Sequence, residues 1–591
     1  MADIECHVAF VYWNALRGAY VGLPAGIPVE VIDRNVLADR VLARGVLDDE
    51  GYVHLRLDPD HERGPDLYFR YRIPDDAPAA IDLATNTLAA SGFPIPRAWE
   101  TRSRYALEDP ARPGYWGALA GYRIGAPHRP YVFDVLEEAP RLRPGNLARP
   151  LIDGVETGCR LEALLEAAEK SIHVEVMLYF NDPIGRRITD LLIRKARQGV
   201  EVRLMFDVRT TADSYRLYTL RRVWVGGLIN LPDEERAAQL AEAEAAEQAE
   251  KLRGDTAEIR AALAATPGVR FLDTSFPYVQ IRPRAPAGAP PAYQELTASL
   301  PFFTVARIDH RKLIVVDGKA AILGGHNIGE EYLYDVPFDP LREASEEEWV
   351  KWHDVMIEIQ GPAVRDAQSL FRERWVEEGG DAFDLGPRAL GVGTDPRHPY
   401  FPRLEERPGG APVSILSTTP GARFQIRDDL LERFVRAERR ILVEMAYVTG
   451  GETWKLLRRA AERGVKVVCI FADEHNDSLE FLYAARLRYR ELLQSGVEVF
   501  EYQRHMTHAK VVIVDDVSII GSANLNNAGF YNHYEVSALV PDADFTAGLE
   551  RDLFARDLSH SRRIEAEDVD ALTDISAVAR AYVKGVVDVW F

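Results

Sequence analysis

Two stretches of the chain carry the same reactive side chains at the same spacing. Each has a histidine, a lysine two positions later, an aspartate five positions after the lysine, and then two small residues and an asparagine. The first set is His310, Lys312, Asp317, Gly324, Gly325 and Asn327, and the second is His508, Lys510, Asp515, Gly521, Ser522 and Asn524. The motif is therefore duplicated within one chain.

The spacing separates the chemical residues from the structural ones. Residues two apart on a strand share a face, so each histidine projects together with its lysine. The odd offset points Asp317 and Asp515 to the opposite face, at the end of an apolar run where a turn is expected. We interpret histidine and lysine as chemical residues and the two aspartates as structural ones.

A phosphodiester site uses these groups directly. Imidazole attacks phosphorus when a carboxylate holds its other ring nitrogen, and a second imidazole protonates the leaving oxygen. Lysine and asparagine hold the non-bridging oxygens and stabilise the charge that develops in the transition state. One histidine on an apolar strand is usually a core residue, but the matched second copy argues against that reading.

The duplicated HxKxxxxD pattern, followed by GG or GS and then Asn, resembles the phospholipase D superfamily. RKLIVVDGKAAILGGHNIGEEYL and GSANLN are similar to the cardiolipin synthase and phospholipase D branches, and Trp352-His353-Asp354-Val355 resembles their WHDV segment. The resemblance covers roughly residues 151–560. One departure is the run 527–530, which reads NAGF where many relatives show an Arg-Ser pair, and it leaves the headgroup or acceptor preference open.

The resemblance implies a role for each matched residue. His310 attacks phosphorus to form a phosphohistidine, and His508 protonates the departing alcohol. Asp354 and Glu535, each in a strand that follows a motif, hold the inner nitrogens of the histidines. Lys312, Lys510, Asn327 and Asn524 clamp the phosphate. The chemistry requires no metal or other cofactor, because the lysine pair supplies the positive charge.

Composition limits the surroundings in which the protein works. The 591 residues include no apolar run of the ~18 residues that a membrane helix needs, and the N-terminus lacks the pattern of a secretory signal. The three cysteines are too scattered for a disulfide framework or a zinc site. We therefore expect a cytoplasmic protein, although signal-independent export would leave the same trace. A net charge of −21 argues against nucleic acid as a partner.

The pattern predicts an α/β fold of two duplicated phospholipase D-like halves after a small all-β sandwich. Residues 1–145 contain alternating runs at 28–33, 52–57 and 67–73. Acidic residues lie between and beside these runs, and they either belong to ordinary solvated turns or bind calcium. They are Asp48, Asp49, Asp58, Asp60 and Asp66.

The two halves are expected at 146–395 and 396–591, each a helix, strand, helix and strand that lead to the motif. The first half carries an insertion at about 233–300, helical from 233 to 265 and rich in proline near 283–291. This insertion is either a lid over the active site or a surface excursion.

The expected function is phospholipase D-type hydrolysis or transphosphatidylation of glycerophospholipids through a phosphohistidine. The alternatives are a nuclease or other nucleic-acid phosphodiesterase of the superfamily, and a cardiolipin synthase-like phosphatidyltransferase. The protein could also be a non-enzymatic scaffold, but the intact duplication of every chemical residue argues against that function. The partners expected are a phospholipid and, transiently, a membrane surface. The sequence leaves the oligomeric state open and is compatible with a monomer.

Overall fold

The structure is a computed structural model. It describes residues 4–9, 11–14, 19–22, 26–34, 39–46, 52–57, 67–72, 98–102, 107–108, 116–117, 141–275, 291, 294, 308–335, 351–381, 383, 393, 395–420 and 423–587. The chain divides into two compact units, one of Met1–Arg141 with Thr418–Val435 and one of Leu142–Ser417 with Arg436–Phe591.

The elements described in the N-terminal region are all β-strands, in agreement with the predicted all-β fold of this region. Its strands pair antiparallel, and four of them form a sheet in the order β5-β4-β7-β8. The strands are β1 Ile4–Ala9, β2 Val11–Asn14, β3 Ala19–Gly22, β4 Pro28–Arg34, β5 Asp39–Val46, β6 Tyr52–Leu57, β7 Leu67–Arg72, β8 Ala98–Arg102, β9 Leu107–Glu108 and β10 Trp116–Gly117. The carboxylates considered for calcium, Asp48, Asp49, Asp58, Asp60 and Asp66, lie outside the described residues.

One large mixed sheet organises the rest of the chain. The strands are β11 Arg143–Ile152, β12 Ser171–Val176, β13 Glu201–Phe206, β14 Val269–Asp273, β15 Leu313–Val316, β16 Ala320–Gly324, β17 Val355–Gln360, β18 Ala411–Thr419, β19 Arg423–Phe424, β20 Arg440–Met445, β21 Lys466–Ala472, β22 Glu498–Tyr502, β23 Lys510–Val514, β24 Val517–Gly521, β25 Glu535–Val540 and β26 Ser561–Arg563. β19 pairs with the last residues of β18.

The order of the strands repeats in mirror image about the middle of this sheet. From one edge it runs β14-β13-β12-β15-β16-β17-β11, and it continues β18-β25-β24-β23-β20-β21-β22-β26. β12, β13 and β14 are parallel, as are β20, β21 and β22, whereas the hairpins β15-β16 and β23-β24 are antiparallel. The predicted duplication of an α/β half is confirmed.

Helices cover the strands, which explains why most strands of this sheet are apolar on both faces. They are α1 Asp153–Ala167, α2 Pro183–Arg197, α3 Val208–Asp213, α4 Arg216–Gly227, α5 Asp233–Arg253, α6 Ala257–Ala264, α7 Val364–Glu377, α8 Gln425–Arg436, α9 Gly451–Glu462, α10 Leu479–Gln494, α11 Ala543–Leu549, α12 Ala555–Ser559, α13 Val569–Leu572 and α14 Ala577–Tyr582. Three π-helical turns lie at Ala528–Asn532, Glu550–Phe554 and Val583–Val587.

Equivalent helices end on equivalent glycines. Gly199 follows α2 with φ 94° and Gly464 follows α9 with φ 92°, and a residue without a Cβ adopts this left-handed conformation at no steric cost. Asp182 caps the start of α2 by accepting a hydrogen bond from the Gly185 amide. Each helix thus stops where the chain must turn back into the next parallel strand.

The insertion in the first half is helical over α5 and α6, as the sequence predicts. α4, which precedes it, places Trp224 in a stack with Tyr483 of α10, with ring centroids 5.7 Å apart. Arg221 donates to the carbonyl oxygen of Asn476 at 2.5 Å. The proline-rich stretch near 283–291 lies outside the described residues apart from residue 291. Within the part of the chain that is described, no helix is both long and apolar enough to cross a bilayer.

Candidate active site

The turn of each motif hairpin is fixed by its aspartate. Asp317 accepts hydrogen bonds from the backbone amides of residues 169–171, and Asp515 accepts them from the amides of residues 438–440. Both aspartates have φ 52°, a conformation that this residue type tolerates better than most. These carboxylates lie away from the histidines and tie each hairpin to the loop that precedes its neighbouring strand.

Each histidine lies beside an acid from the other half of the chain. His310 Nδ1 is 2.9 Å from Glu535 Oε1, and His508 Nδ1 is 2.7 Å from Asp354 Oδ2. All four side chains are nearly or fully buried. We call His310 with Glu535 the first pair and His508 with Asp354 the second pair.

The backbone explains why the pairs cross between halves. The segment that carries His310 runs parallel to the segment before β25, and the His310 amide donates to the Tyr534 carbonyl at 3.0 Å. The segment that carries His508 runs parallel to the segment before β17, and its amide donates to the His353 carbonyl at 2.7 Å. Strand hydrogen bonds therefore fix each histidine next to the other half's acid.

The small residues of the motif make room for the acids. A Cβ on Gly325 would lie 2.1 Å from Asp354 Oδ1, so only glycine fits beside the second pair. At the equivalent place beside the first pair, the Ser522 hydroxyl donates a hydrogen bond to Glu535. Gly324 has φ 153° and Gly521 packs against Ser537, which lets the two hairpins approach the acid-bearing strands closely.

The lysines and asparagines line the same region. Lys312 Nζ donates to the His310 carbonyl at 2.8 Å, and Lys510 Nζ donates to the His508 carbonyl. An ammonium group has three protons, so each lysine has two left for another acceptor. Asn327 Oδ1 accepts from the Leu178 amide at 3.0 Å, whereas the buried Asn524 Oδ1 has no hydrogen-bond partner among the described residues.

Burial and mutual repulsion lower the pKa of each basic group of the two motifs. Burial, helped by the two lysines, lowers the pKa of His310 and of His508 well below the usual value. Burial lowers the pKa of Lys312 to about 7 and that of Lys510 to about 8, with partial compensation from the two acids. The lysine of each half lowers the pKa of the other half's histidine, which means that the two pairs share one site.

The pKa values of the two acids are shifted as well. Burial raises the pKa of Glu535 to about 7 and raises that of Asp354, in both cases against the opposing effect of lysine. A carboxylate only accepts, so in each pair the shared proton on Nδ1 leaves the Nε2 lone pair free. A neutral imidazole with a free Nε2 is the form that attacks phosphorus or accepts a proton.

The surroundings of the two histidines differ, and the sequence argument missed this difference. Trp352 lies with its ring centroid 5.0 Å from that of His508, and Tyr332 and Tyr447 also pack on this imidazole. The position equivalent to Trp352 in the other half is His533, whose ring lies 5.6 Å from His310. Burial lowers the pKa of His533 to about 3. Aligning the two halves on their acids would have found both residues, since each lies two positions before its acid.

A second cluster surrounds His353, the neighbour of Asp354. His353 Nδ1 is 2.5 Å from Asp153 Oδ1, and its Nε2 is 3.2 Å from Glu444 and from Asp557. The three carboxylates outweigh burial and raise the pKa of His353 well above its usual value. Among the described residues, two groups have ligand atoms close enough to hold a metal ion: His310, His533 and Glu535, within the site already described, and His353, Glu444 and Asp557.

The arrangement is suited to two-step transfer of a phosphoryl group. Two imidazoles with Nδ1 facing an acid and two lysines with pKa values of about 7 and about 8 belong to one buried site. Such a site offers a nucleophile, a proton donor and donors for the non-bridging oxygens. These roles remain predictions for the individual residues.

Comparison with known proteins agrees with this chemistry. A family model described as "Cardiolipin synthase, PLD-like domain" matches residues 161–336 and 430–557, a little more than half of the chain. Proteins named cardiolipin synthase from Halalkalibacterium halodurans and Geobacillus kaustophilus are 26% and 28% identical to it over 422 residues. Each alignment covers 71% of this chain and 67% of the relative, so the chain spans about two thirds of the length of these relatives.

A solved structure also aligns with the chain. Phosphatidylserine synthase from Haemophilus influenzae matches with a TM-score of 0.48 and 14% sequence identity. The alignment covers 76% of this chain and 97% of that one.

The comparisons correct the expected location. The prediction of a cytoplasmic protein is wrong, because the relatives take their name from cardiolipin, a phospholipid of membranes. The prediction rested on the lack of a long apolar run and of a signal, and neither feature reports whether a protein works at a lipid surface.

The two matched segments contain both motifs, both histidines and the acid Glu535, while Asp354 lies in the interval between them. The chain therefore belongs to the family described as "Cardiolipin synthase, PLD-like domain", within the phospholipase D superfamily.

Proposed function

We propose that the protein is a phosphatidyltransferase of the cardiolipin synthase type. It would transfer a phosphatidyl group from one glycerophospholipid to a hydroxyl group of another through a covalent phosphohistidine. The relatives' names favour transfer over the hydrolysis that we put first from the sequence alone. Cardiolipin consists of two phosphatidyl groups joined by glycerol, so the simplest donor and acceptor are two molecules of phosphatidylglycerol.

The observation that carries the proposal is the crossed arrangement of the two pairs. Each half contributes the histidine of one pair and the acid of the other, and the lysine of each half lowers the pKa of the opposite histidine. A substrate phosphate has to lie between the pairs to contact both lysines. Displacement at phosphorus needs groups on both sides of the phosphate, one on the entering side and one on the leaving side.

In the first step His310 Nε2 attacks phosphorus. The P–N bond forms as the P–O bond to the glycerol headgroup breaks, and His508, protonated on arrival of the anion, gives its proton to the departing alkoxide. Glu535 stabilises the positive charge that His310 acquires. Lys312 and Lys510 hold the non-bridging oxygens.

In the second step the acceptor hydroxyl attacks the phosphohistidine. His508, now neutral, takes the hydroxyl proton as the new P–O bond forms and the P–N bond breaks. The aromatic rings of Tyr332, Trp352 and Tyr447 around His508 exclude water from this side, which favours an alcohol as acceptor. Water in the same place would give phosphatidate.

The substrate also determines where the protein acts. A phospholipid donor is presented by a bilayer, so the site must face a membrane surface during turnover. The chain supplies both halves of the site, and a monomer therefore suffices for the chemistry proposed.

The test uses the purified chain with vesicles of phosphatidylglycerol. We expect cardiolipin and free glycerol in equal amounts, measured by mass spectrometry, and no product from His310→Ala or His508→Ala. His398→Asn is the matched control. This buried histidine lies outside the site and accepts hydrogen bonds from the backbone amides of Tyr400 and Phe401, and the asparagine side chain also offers an acceptor. Phosphatidate without cardiolipin would replace the proposal by hydrolysis, and cleavage of DNA without any lipid product would replace it by a nuclease.

A further inference from the structure

The cluster around His353 lies apart from the chemistry described so far. His353 and Asp354 are neighbours on an extended segment, and successive side chains of such a segment point to opposite faces. Asp354 faces His508, whereas His353 faces Asp153, Glu444 and Asp557. His353, Glu444 and Asp557 are completely buried.

The imidazole of His353 is oriented as in a metal ligand. Asp153 Oδ1 lies 2.5 Å from Nδ1, which places a proton on that nitrogen and directs Nε2 at the other two acids. Nε2, Glu444 Oε2 and Asp557 Oδ2 have no hydrogen-bond partner among the described residues. The ligand atoms of the three side chains lie within 4.8 Å of one another.

The remaining oxygens of the two acids are held by other groups. The Thr507 hydroxyl donates to Glu444 Oε1 at 2.9 Å, and Arg556 Nε donates to Asp557 Oδ1 at 2.9 Å. These bonds fix the carboxylates. The oxygens that lie 3.2 Å from Nε2 are Glu444 Oε1 and Asp557 Oδ2, and Glu444 Oε2 has no hydrogen-bond partner among the described residues. Ligands held by such outer contacts are what a protein metal site requires.

The charges around this space do not balance without a further cation. Asp153, Glu444 and Asp557 face one guanidinium, that of Arg556, which contacts Asp153 and Asp557. With His353 protonated, the imidazolium and this guanidinium leave a formal charge of −1, and a dication that displaces the Nε2 proton would bring the sum to zero. Buried carboxylates without compensating charge are costly, so a cation is expected here.

The first half of the chain shows how the same position is neutralised without an ion. The equivalent of Glu444 is Glu175. Burial and Asp309 raise the pKa of Glu175 well above its usual value, and the buried guanidiniums of Arg311 and Arg374 oppose this rise. Arg374 also pairs with Asp309 at 2.9 Å. The position of His353 is occupied there by Tyr534. In the first half, two arginines therefore lie beside the strand acid Glu175. In the second half, a histidine and an additional carboxylate lie beside the strand acid Glu444.

We propose that His353, Glu444 and Asp557 bind a first-row divalent metal ion of the Zn²⁺ or Mn²⁺ class. One imidazole and two carboxylates suit such ions, whereas Ca²⁺ takes six or more oxygen ligands. The ion lies on the opposite face of the 353–354 segment from the second pair and takes no part in phosphoryl transfer. Its role is to hold the segment that carries Asp354 against β20.

A cavity lies next to the outer contacts of this site. It has a volume of 440 Å³ and is lined by Asp153, Arg556 and Tyr334 among others. Asp153 and Arg556 both contact the His353 cluster, so the wall of the cavity is also the outer layer of the proposed site.

The test measures Zn²⁺ binding to the full chain after removal of metal by dialysis against a chelator. We expect about one Zn²⁺ per chain beyond any bound by the variant Glu444→Gln/Asp557→Asn, and a higher melting temperature with Zn²⁺ than with Ca²⁺. Asp153→Asn removes only the outer carboxylate and should weaken Zn²⁺ binding by ~10- to 100-fold. Calorimetric titration and elemental analysis supply the affinity and the stoichiometry.

Two control variants separate this site from the rest of the protein. Glu175→Gln changes the equivalent carboxylate that faces arginines, and His533→Ala removes a ligand from the other group of closely spaced side chains. Neither should change binding at the proposed site. The proposal would be overturned if wild type and the Glu444→Gln/Asp557→Asn variant bound Zn²⁺ equally. It would also be overturned if wild type bound neither Zn²⁺ nor Mn²⁺, and a bound proton would then be the neutralising cation.

Discussion

Replacing Glu535 by glutamine should inactivate the protein and stabilise it. The amide of glutamine donates to His310 Nδ1, so the imidazole proton moves to Nε2 and the nucleophilic lone pair is lost. By analogy with the loss of the orienting acid in a hydrolase triad, turnover should fall by ~10³ to 10⁴-fold, or about 4 to 5.5 kcal/mol in the barrier. The contact that is changed joins His310 Nδ1 to Glu535 Oε1 at 2.9 Å and to Oε2 at 3.0 Å, and glutamine keeps an acceptor for the Ser522 hydroxyl.

The stability effect follows from the sign of the pKa shift. Burial raises the pKa of Glu535 to about 7, above the ordinary 4.5 of an unfolded glutamate. The folded state therefore binds this proton more tightly than the unfolded state does. The ionised carboxylate lowers the free energy of unfolding. This loss is absent below pH 4.5, grows between pH 4.5 and pH 7, and is complete above pH 7. The full penalty is at most about 3 kcal/mol, and glutamine removes it.

The assay combines cardiolipin formation with thermal unfolding at pH 8 and pH 5. Glu535→Gln should melt at a higher temperature than wild type at pH 8 and at nearly the same temperature at pH 5. Glu358→Gln is the matched control, because this buried strand acid pairs with Arg160 at 2.7 Å outside the site. That variant should keep its activity and lose stability by about 1 to 2 kcal/mol.

Either half of the result can refute the reasoning. Turnover of Glu535→Gln above one tenth of wild type would show that the acid does not orient the nucleophile. Destabilisation of the same variant at pH 8 would show that burial of the carboxylate does not oppose folding.

Three further predictions concern groups in and beside the proposed phosphate site. Lys510→Met should lower turnover by ~10² to 10³-fold in the lipid assay, while Lys466→Met, an exposed control, should not change it. Sulfate keeps a constant charge in this range and should bind more weakly as the pH rises through 7 to 8. The affinity should fall by up to ~10-fold per pH unit for each lysine that loses its proton. Calorimetry of Lys312→Met should show a smaller change of sulfate affinity with pH. Gly325→Ala places a methyl group 2.1 Å from a carboxylate oxygen of the second pair and should abolish turnover, whereas Gly158→Ala, with open space around it in α1, should retain turnover and melt no lower than wild type.

The sequence predicted the local features well because they depend on spacing. The alternation that places Lys312 beside His310 is a property of any strand, and the ends of α2 and α9 follow from glycines at fixed positions. The matched order of strands and helices in the two halves predicted a duplicated α/β fold, and the mirror-image sheet confirms it. Domain boundaries and the role of the insertion stay predictions.

The tertiary features could not be predicted in the same way. The partner of His310 is 225 positions away, and spacing alone does not distinguish it from the acid that follows the first motif. The three acids that surround His353 come from α1, β20 and α12, and no local pattern connects them. The expected location failed for a different reason, since a surface that meets a bilayer need not differ in composition from one that meets water.

The crossed pairs have a consequence for how this chain can change over generations. A substitution at Glu535 acts on a histidine encoded in the other half of the gene, and one at Asp354 does the same in reverse. Loss of either repeat would take one member from each pair and leave neither histidine with its acid.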